Sequence, residues 1–417
     1  MQQIIRKSGR LGRMVSAVSV AAGLGLVAPA MPGHGPAQAQ EAVRAEVGKP
    51  LQAARDLYKQ GKYKEALAKL REAEAVPNRT AQENQLIEQM RAAIASQAGD
   101  TEQAIKASLA LINSGKLSEA DRARHAASLA SLYYRNKDFA NAAKWADQAL
   151  KANPGDPTMR SLLIQSNYQA GDLQAASREA LEDVQAAEKA GRAPPEDRLQ
   201  LLANVASKGS DRGAYVVALE RLITYYPKKE YWADLLRRIE SKPGFSNRLS
   251  LDVYRLRIAT KTIETGNDYS EAAQLALQAG QAAEAKKILD EGFAAGLLGK
   301  GAEADRQKRL LNLATQRATD APKDLATAES EATEDGNALV RIGMAYTGLG
   351  QYDKGIALML KGLGKSNLKN IDDARLHLGI AYLRAGNRAK AVEAFRTVKG
   401  TDGAADLARL WTRVGTS

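Results

Sequence analysis

The chain is predicted to be all-α: antiparallel helical hairpins stacked side by side into an elongated solenoid. Three observations predict it. A turn-and-helix phrase recurs every 34 to 38 residues, as from Tyr134 to Tyr168 and from Tyr346 to Tyr382. Apolar residues are spaced three and four apart on both sides of each turn, so every half-repeat has one apolar face. Aromatic residues make up 5% of the 417 residues and alanine is abundant, which suits closely approaching helices.

The first 39 residues read as an address. Arg6, Lys7, Arg10 and Arg13 form a basic leader, and no acidic residue precedes Glu41. Met14 to Ala30 is apolar and broken by Gly23 and Gly25, and Ala37-Gln38-Ala39 gives the small-x-small pattern of a signal-peptidase site. A cleaved export signal, 1–39, is expected, with the mature chain starting at Gln40 in the periplasm or outside the cell. Pro29, Pro32 and the short apolar run weigh against an uncleaved anchor.

Without those four cations the net charge falls from +12 to +8, spread over an interleaved surface. No concentrated basic block marks a nucleic-acid partner, and a membrane would be met only peripherally. The absence of cysteine excludes disulfides, thiolate metal sites and a thiol nucleophile.

The repeat phrase is written in Gly61-Lys-Tyr63-Lys-Glu-Ala66, Lys137-Asp-Phe139-Ala-Asn-Ala142, Gly171-Asp-Leu173-Gln-Ala-Ala176, Gly350-Gln-Tyr352 and Gly386-Asn-Arg388-Ala-Lys-Ala391. Each is a turn, then a bulky residue, then a small one at the next helical contact. Leu129-Ala130 with Tyr133, Ile342-Gly343 with Tyr346 and Leu378-Gly379 with Tyr382 mark the preceding helices. Small residues let the two axes approach, and large ones fill the hollow between hairpins. One hairpin cannot bury its apolar face alone, so neighbours must stack.

These segments resemble tetratricopeptide repeats, most closely from Leu378 through Gly386 and Ala391 to Phe395, then Ile342 to Gly350 and Leu129 to Pro154. The resemblance implies a right-handed superhelical solenoid, with an array at 40–190, a divergent helical region at 191–321, and a second array at 322–417 ending in a capping helix. Ala321-Pro322 is read as the opening of that last array. Leu407, Leu410, Trp411 and Val414 form the stripe of the cap. Within the divergent region, Pro194-Pro195-Glu196-Asp197 and the stretch after Pro227 read as helix starts, and Lys242-Pro243-Gly244 as a break. Tyr225-Tyr-Pro-Lys-Lys-Glu-Tyr231-Trp232 is similar to exported tetratricopeptide proteins that accompany TonB-type energy-transducing machinery.

Reactive groups are sparse. In the mature chain His125 and His377 stand alone on separate helices, with no metal-ligand spacing. Gly364-Lys365-Ser366 lacks the first glycine and the strand of a phosphate loop, and Ser366-Asn-Leu-Lys369 lacks the partner motifs of acyl-transfer enzymes. No catalytic residue, metal or cofactor is expected.

A binding surface is expected instead on the first helix of each hairpin, which lines the concave side of such stacks. Equivalent places hold Tyr58, Tyr134 and Tyr168, then Lys59, Arg135 and Gln169, with Arg55, Ser131 and Gln165 one turn earlier. Rings beside cations and amides suit an extended peptide or a protein partner in the cell envelope. The same tyrosines would equally fill space between hairpins. Peptide-clamping cochaperones of the resembled family use lysine, arginine and asparagine where this chain has residues such as Ala127, Ser131 and Gln165, a departure from a chaperone-tail reader. The expected function is a non-catalytic periplasmic scaffold. The alternatives are an accessory of envelope transport or polysaccharide export, and an enzyme centred on Glu230, Tyr231, Trp232 and Asp234 in the middle region.

Overall fold

The computed structural model describes residues 43–415, so the export signal lies outside the described residues. Among them are twenty α-helices and no strand. No described helix is long and apolar enough to cross a membrane. The chain forms two compact units that divide between Glu179 and Ala180.

The first unit contains α1 (Ala45–Lys59), α2 (Tyr63–Glu74), α3 (Ala81–Ala98), α4 (Thr101–Asn113), α5 (Glu119–Arg135), α6 (Phe139–Ala152) and α7 (Pro157–Gln169); the division falls within α8 (Leu173–Lys189). Hairpins α1–α2, α3–α4 and α5–α6 pack in sequence, and first helices touch, α1 on α3 and α5 on α7. The turns explain the periodicity. Gly61, Gly99, Lys137 and Gly171 are all left-handed, with φ between 62° and 84°. The next amide then reaches back over the turn, Lys62 to Leu57 O, Asp100 to Ala95 O, Asp138 to Tyr133 O and Asp172 to Asn167 O, each at 2.9 Å. Three of these residues also start the second helix. The carboxylates of Asp100, Asp138 and Asp172 accept from the amides of Gln103, Asn141 and Ala175. Ala54, Ala66, Leu70, Ala73 and Leu132 belong to one buried core. A capping box between Thr80 and Glu83 opens α3, and Arg44 grips the Glu83 carboxylate from Nε at 3.0 Å and Nη2 at 2.8 Å.

The second unit continues with α9 (Glu196–Lys208), α10 (Arg212–Tyr225), α11 (Lys229–Glu240), α12 (Ser250–Ala259), α13 (Gly266–Gln278), α14 (Ala282–Ala294) and α15 (Ala304–Glu331). Then follow α16 (Gly336–Gly348), α17 (Tyr352–Leu363), α18 (Ile371–Arg384), α19 (Arg388–Arg396) and α20 (Ala404–Trp411). The helix starts at Glu196 and after Pro227, and the break at Pro243, fall where the sequence puts them. Pro322 does not open a helix. It lies inside α15, exposed to solvent, where water can satisfy the Ala318 carbonyl that loses its amide partner.

Hairpin α16–α17 is the tightest. A Cβ on Gly343 would stand 2.5 Å from the Gly355 carbonyl oxygen, and one on Gly355 would stand 2.4 Å from that of Gly343. Only hydrogen at both positions permits this approach.

Helix α20 buries Leu407, Leu410 and Trp411, while Val414 lies beyond its end and is half-buried, and the helix packs back on the middle of the unit. It packs on α18, α19 and α12. The Ser246 amide donates to Asp402 O at 2.9 Å, Lys242 pairs with Asp406 at 2.8 Å, and Arg409 pairs with Glu220 at 2.7 Å. The second unit therefore closes on itself, where an ideal solenoid repeat meets only its sequence neighbours.

Candidate functional site

In the first unit the sequence-equivalent places are also structurally equivalent. Tyr58, Tyr134 and Tyr168 are half-buried near the ends of α1, α5 and α7, and Lys59, Arg135 and Gln169 beside them are exposed. The tyrosine bodies serve packing. Tyr58 lies 5.7 Å from the ring of Tyr63, and Tyr134 meets Phe139 edge-on at 5.4 Å. Each therefore leans on the aromatic residue just past its own turn. The phenol of Tyr134 has a second role: it donates to Gln165 Oε1, on the next hairpin, at 3.5 Å. Burial pushes the Tyr134 phenol up, which keeps it a neutral donor.

The structure thus brings together Tyr134 and Gln165, with Arg135 and Gln169 exposed on the same two helix ends. Tyr58 stands apart from this pair. The whole hairpin α3–α4 intervenes, and its equivalent places hold Ala93, Ser96 and Gln97. Ser131 donates within its own helix to Ala127 O at 3.1 Å. Arg55 has its Nε buried without a hydrogen-bond partner.

The corresponding face of α16 and α18 in the second unit is occupied by the chain itself. Thr347, at the place of Tyr134, is buried and donates to Met344 O at 2.7 Å. Along α18, Asp373 accepts from Arg248 at 2.7 and 3.0 Å, His377 Nε2 lies 3.0 Å from Asp252, and Arg384 reaches Glu284. Arg255 closes this group. Its Nε and Nη2 hold Glu284 at 2.9 and 2.6 Å, and its Nη1 holds Asp252 at 2.7 Å. Burial alone would push the Asp252 carboxyl up; His377 and Arg255 outweigh it and hold it down at about 2. The same contest leaves Glu284 depressed beside Arg255 and Arg384. These groups are engaged by one another, so the arrangement fixes α12, α14 and α18 together rather than exposing a reactive atom. Sequence reasoning missed it because Asp252 and His377 are 125 positions apart, on helices of different repeats.

The middle cluster is likewise a set of ties. Tyr231 donates to Glu196 Oε1 at 2.5 Å and accepts from Gln200 at 2.6 Å. Asp234 accepts from Tyr215, whose phenol is pushed up to about 12 by burial and by that carboxylate. Trp232 is buried and Glu230 exposed. Burial pushes His125 down, and no group of three side chains that could hold a metal ion occurs among the described residues.

Family models described as tetratricopeptide repeat match residues 90–157 and 129–193, 336–364, and 373–400. No curated protein matches the chain. Among solved structures, a tetratricopeptide repeat protein from Parabacteroides merdae is similar at 13% identity over 69% of this chain and 98% of its own, with a TM-score of 0.24. Yeast Tom70 is similar at 11% identity over 88% and 94%, with a TM-score of 0.26. The TPR2AB domain of yeast Sti1, solved as a pHSP90 complex, is similar at 13% identity over 71% and 100%, with a TM-score of 0.24. Helical hairpins, left-handed turns and matching models agree that tetratricopeptide repeats are recognised within residues 90–193, 336–364 and 373–400.

Proposed function

We propose that this chain is a non-catalytic scaffold of the periplasm, exported and cut near Ala39, that holds a protein or an extended peptide on the face around Tyr134, Arg135, Gln165, Tyr168 and Gln169. One contrast carries the reading. The first-helix face of α18 is covered by Arg248, Asp252 and Glu284 of the same chain, whereas the matching helix ends of α5 and α7 leave Arg135 and Gln169 exposed beside half-buried rings. A ring presents area with few rotors to freeze, and an exposed amide or guanidinium can pair with a peptide backbone. Folds of this kind generally act as scaffolds, and the interlocked polar groups of the second unit support the same role.

The test is recovery of partners after cross-linking in cells, comparing the native chain with a Tyr134→Ala, Tyr168→Ala double variant that keeps its helical signal. Loss of the captured partners supports the face; unchanged capture contradicts it. Export is tested separately by Ala37→Leu with Ala39→Leu, which should leave a slower-migrating precursor. Processing at the native rate would refute the cleavage site.

A further inference from the structure

The last two repeats share one pattern at an offset of thirty-six positions: Tyr346 and Lys354 recur as Tyr382 and Lys390. In the earlier repeat the pattern is closed by a carboxylate. Lys354 Nζ lies 4.1 Å from the Tyr346 ring centroid, Glu329 of α15 pairs with Lys354 at 2.8 Å, and the Tyr346 hydroxyl donates to the same carboxylate at 2.8 Å. Around it, Leu325, Ala328 and Ala332 pack on Leu339, Ile342 and Tyr346. One turn of α15 thus supplies an acidic group flanked by apolar contacts.

In the later repeat that turn is missing. Helix α17 stops at Leu363, and the positions matching Leu325 and Glu329 are Lys361 and Lys365. Two fillers have also shrunk or changed: Leu339 becomes Arg375, and Leu358 becomes Ala394. A groove of about 400 Å³ opens there, lined by Leu363, Ile371, Leu378 and Tyr382, with Arg375, Lys390 and Glu393 among its polar residues. Lys390 stands 5.8 Å from the Tyr382 ring centroid. The charge that reads as interleaved over the whole chain is uneven here: from Tyr352 to Lys399 ten lysines and arginines stand against four acids.

We infer that the Tyr382–Lys390 groove is a second docking site, which takes an acidic amphipathic helix from a protein partner and seats its carboxylate where Glu329 sits one repeat earlier. The leader cannot fill it, because residues 1–40 carry no acidic side chain. Lysine beside tyrosine offers the incoming carboxylate an ammonium and a hydroxyl, and the groove floor takes its apolar neighbours.

The probe is a fluorescent, end-blocked peptide with the sequence of residues 321–334, titrated into the full chain by anisotropy. Saturable one-site binding is expected, weakened about tenfold by Glu329→Gln in the peptide. With Lys390→Met in the protein, an exposed site whose change leaves the fold intact, the Glu and Gln peptides should bind alike. The Tyr134→Ala, Tyr168→Ala double variant should bind the peptide as the native chain does, which separates this site from the face proposed above. No saturable binding overturns the inference. So does binding indifferent to Glu329 or to Lys390, or a self-association that Lys390→Met abolishes, which would make a second copy the occupant.

Discussion

Arg255 and Glu284 meet through two parallel hydrogen bonds, Nε to Oε1 at 2.9 Å and Nη2 to Oε2 at 2.6 Å, with both side chains buried. Such a pair adds little over apolar residues of the same volume, but losing one member strands a buried charge. Glu284→Leu is therefore expected to destabilise the second unit by about 3–5 kcal/mol, and Glu284→Leu combined with Arg255→Met by less. Urea titration followed by circular dichroism measures both. Equal losses would show that the buried Arg255, left with Asp252 alone, is not what matters.

Acid should open the same group. Asp252 is held at about 2, below its ordinary value of 3.8, and Glu284 is depressed too. A carboxylate whose folded pKa is depressed contributes stability above its unfolded value, and that contribution disappears as pH falls through the folded one. The urea midpoint should therefore drop between about pH 4 and pH 2 as Asp252 titrates. Asp252→Asn, which removes the titrating group, should flatten part of that slope, and an identical slope in the variant would contradict it.

Much of the fold was legible because its signals are local. A left-handed residue, an aspartate cap and an apolar residue three or four positions on lie within one short phrase, and Gly171-Asp172-Leu173 spells it fully. The tyrosine places were legible for the same reason. The closure of the second unit was not. Arg248 with Asp373 and Asp402, or Arg409 with Glu220, joins helices across 125 to 189 positions, and no periodicity encodes those meetings. The run of α15 through Pro322 was hidden because solvent, rather than sequence, relieves the lost hydrogen bond.

Lys137 occupies a glycine position, with φ at 62°. Lys137→Gly should stabilise the first unit by up to about 1 kcal/mol, since relief of the left-handed strain exceeds the added freedom of the unfolded chain. Gly171→Ala should cost about 1 kcal/mol. Thermal melts of the two variants test this, and shifts in the same direction would refute it.

Gly343→Ala places a methyl 2.5 Å from the Gly355 carbonyl oxygen. The helices must separate, at an expected cost of about 1–3 kcal/mol. Amide hydrogen exchange should quicken first in α16 and α17, and unchanged protection there would contradict the close packing.

The α5–α7 face is proposed to hold a partner. Photo-reactive residues introduced in cells at Arg135 and Gln169, with Lys151 on α6 as the exposed control, test it most directly. One shared adduct is expected from positions 135 and 169, none from 151, and its loss when Tyr134 and Tyr168 are changed to alanine. Adducts that are equal at all three positions, or that survive the tyrosine changes, would contradict it.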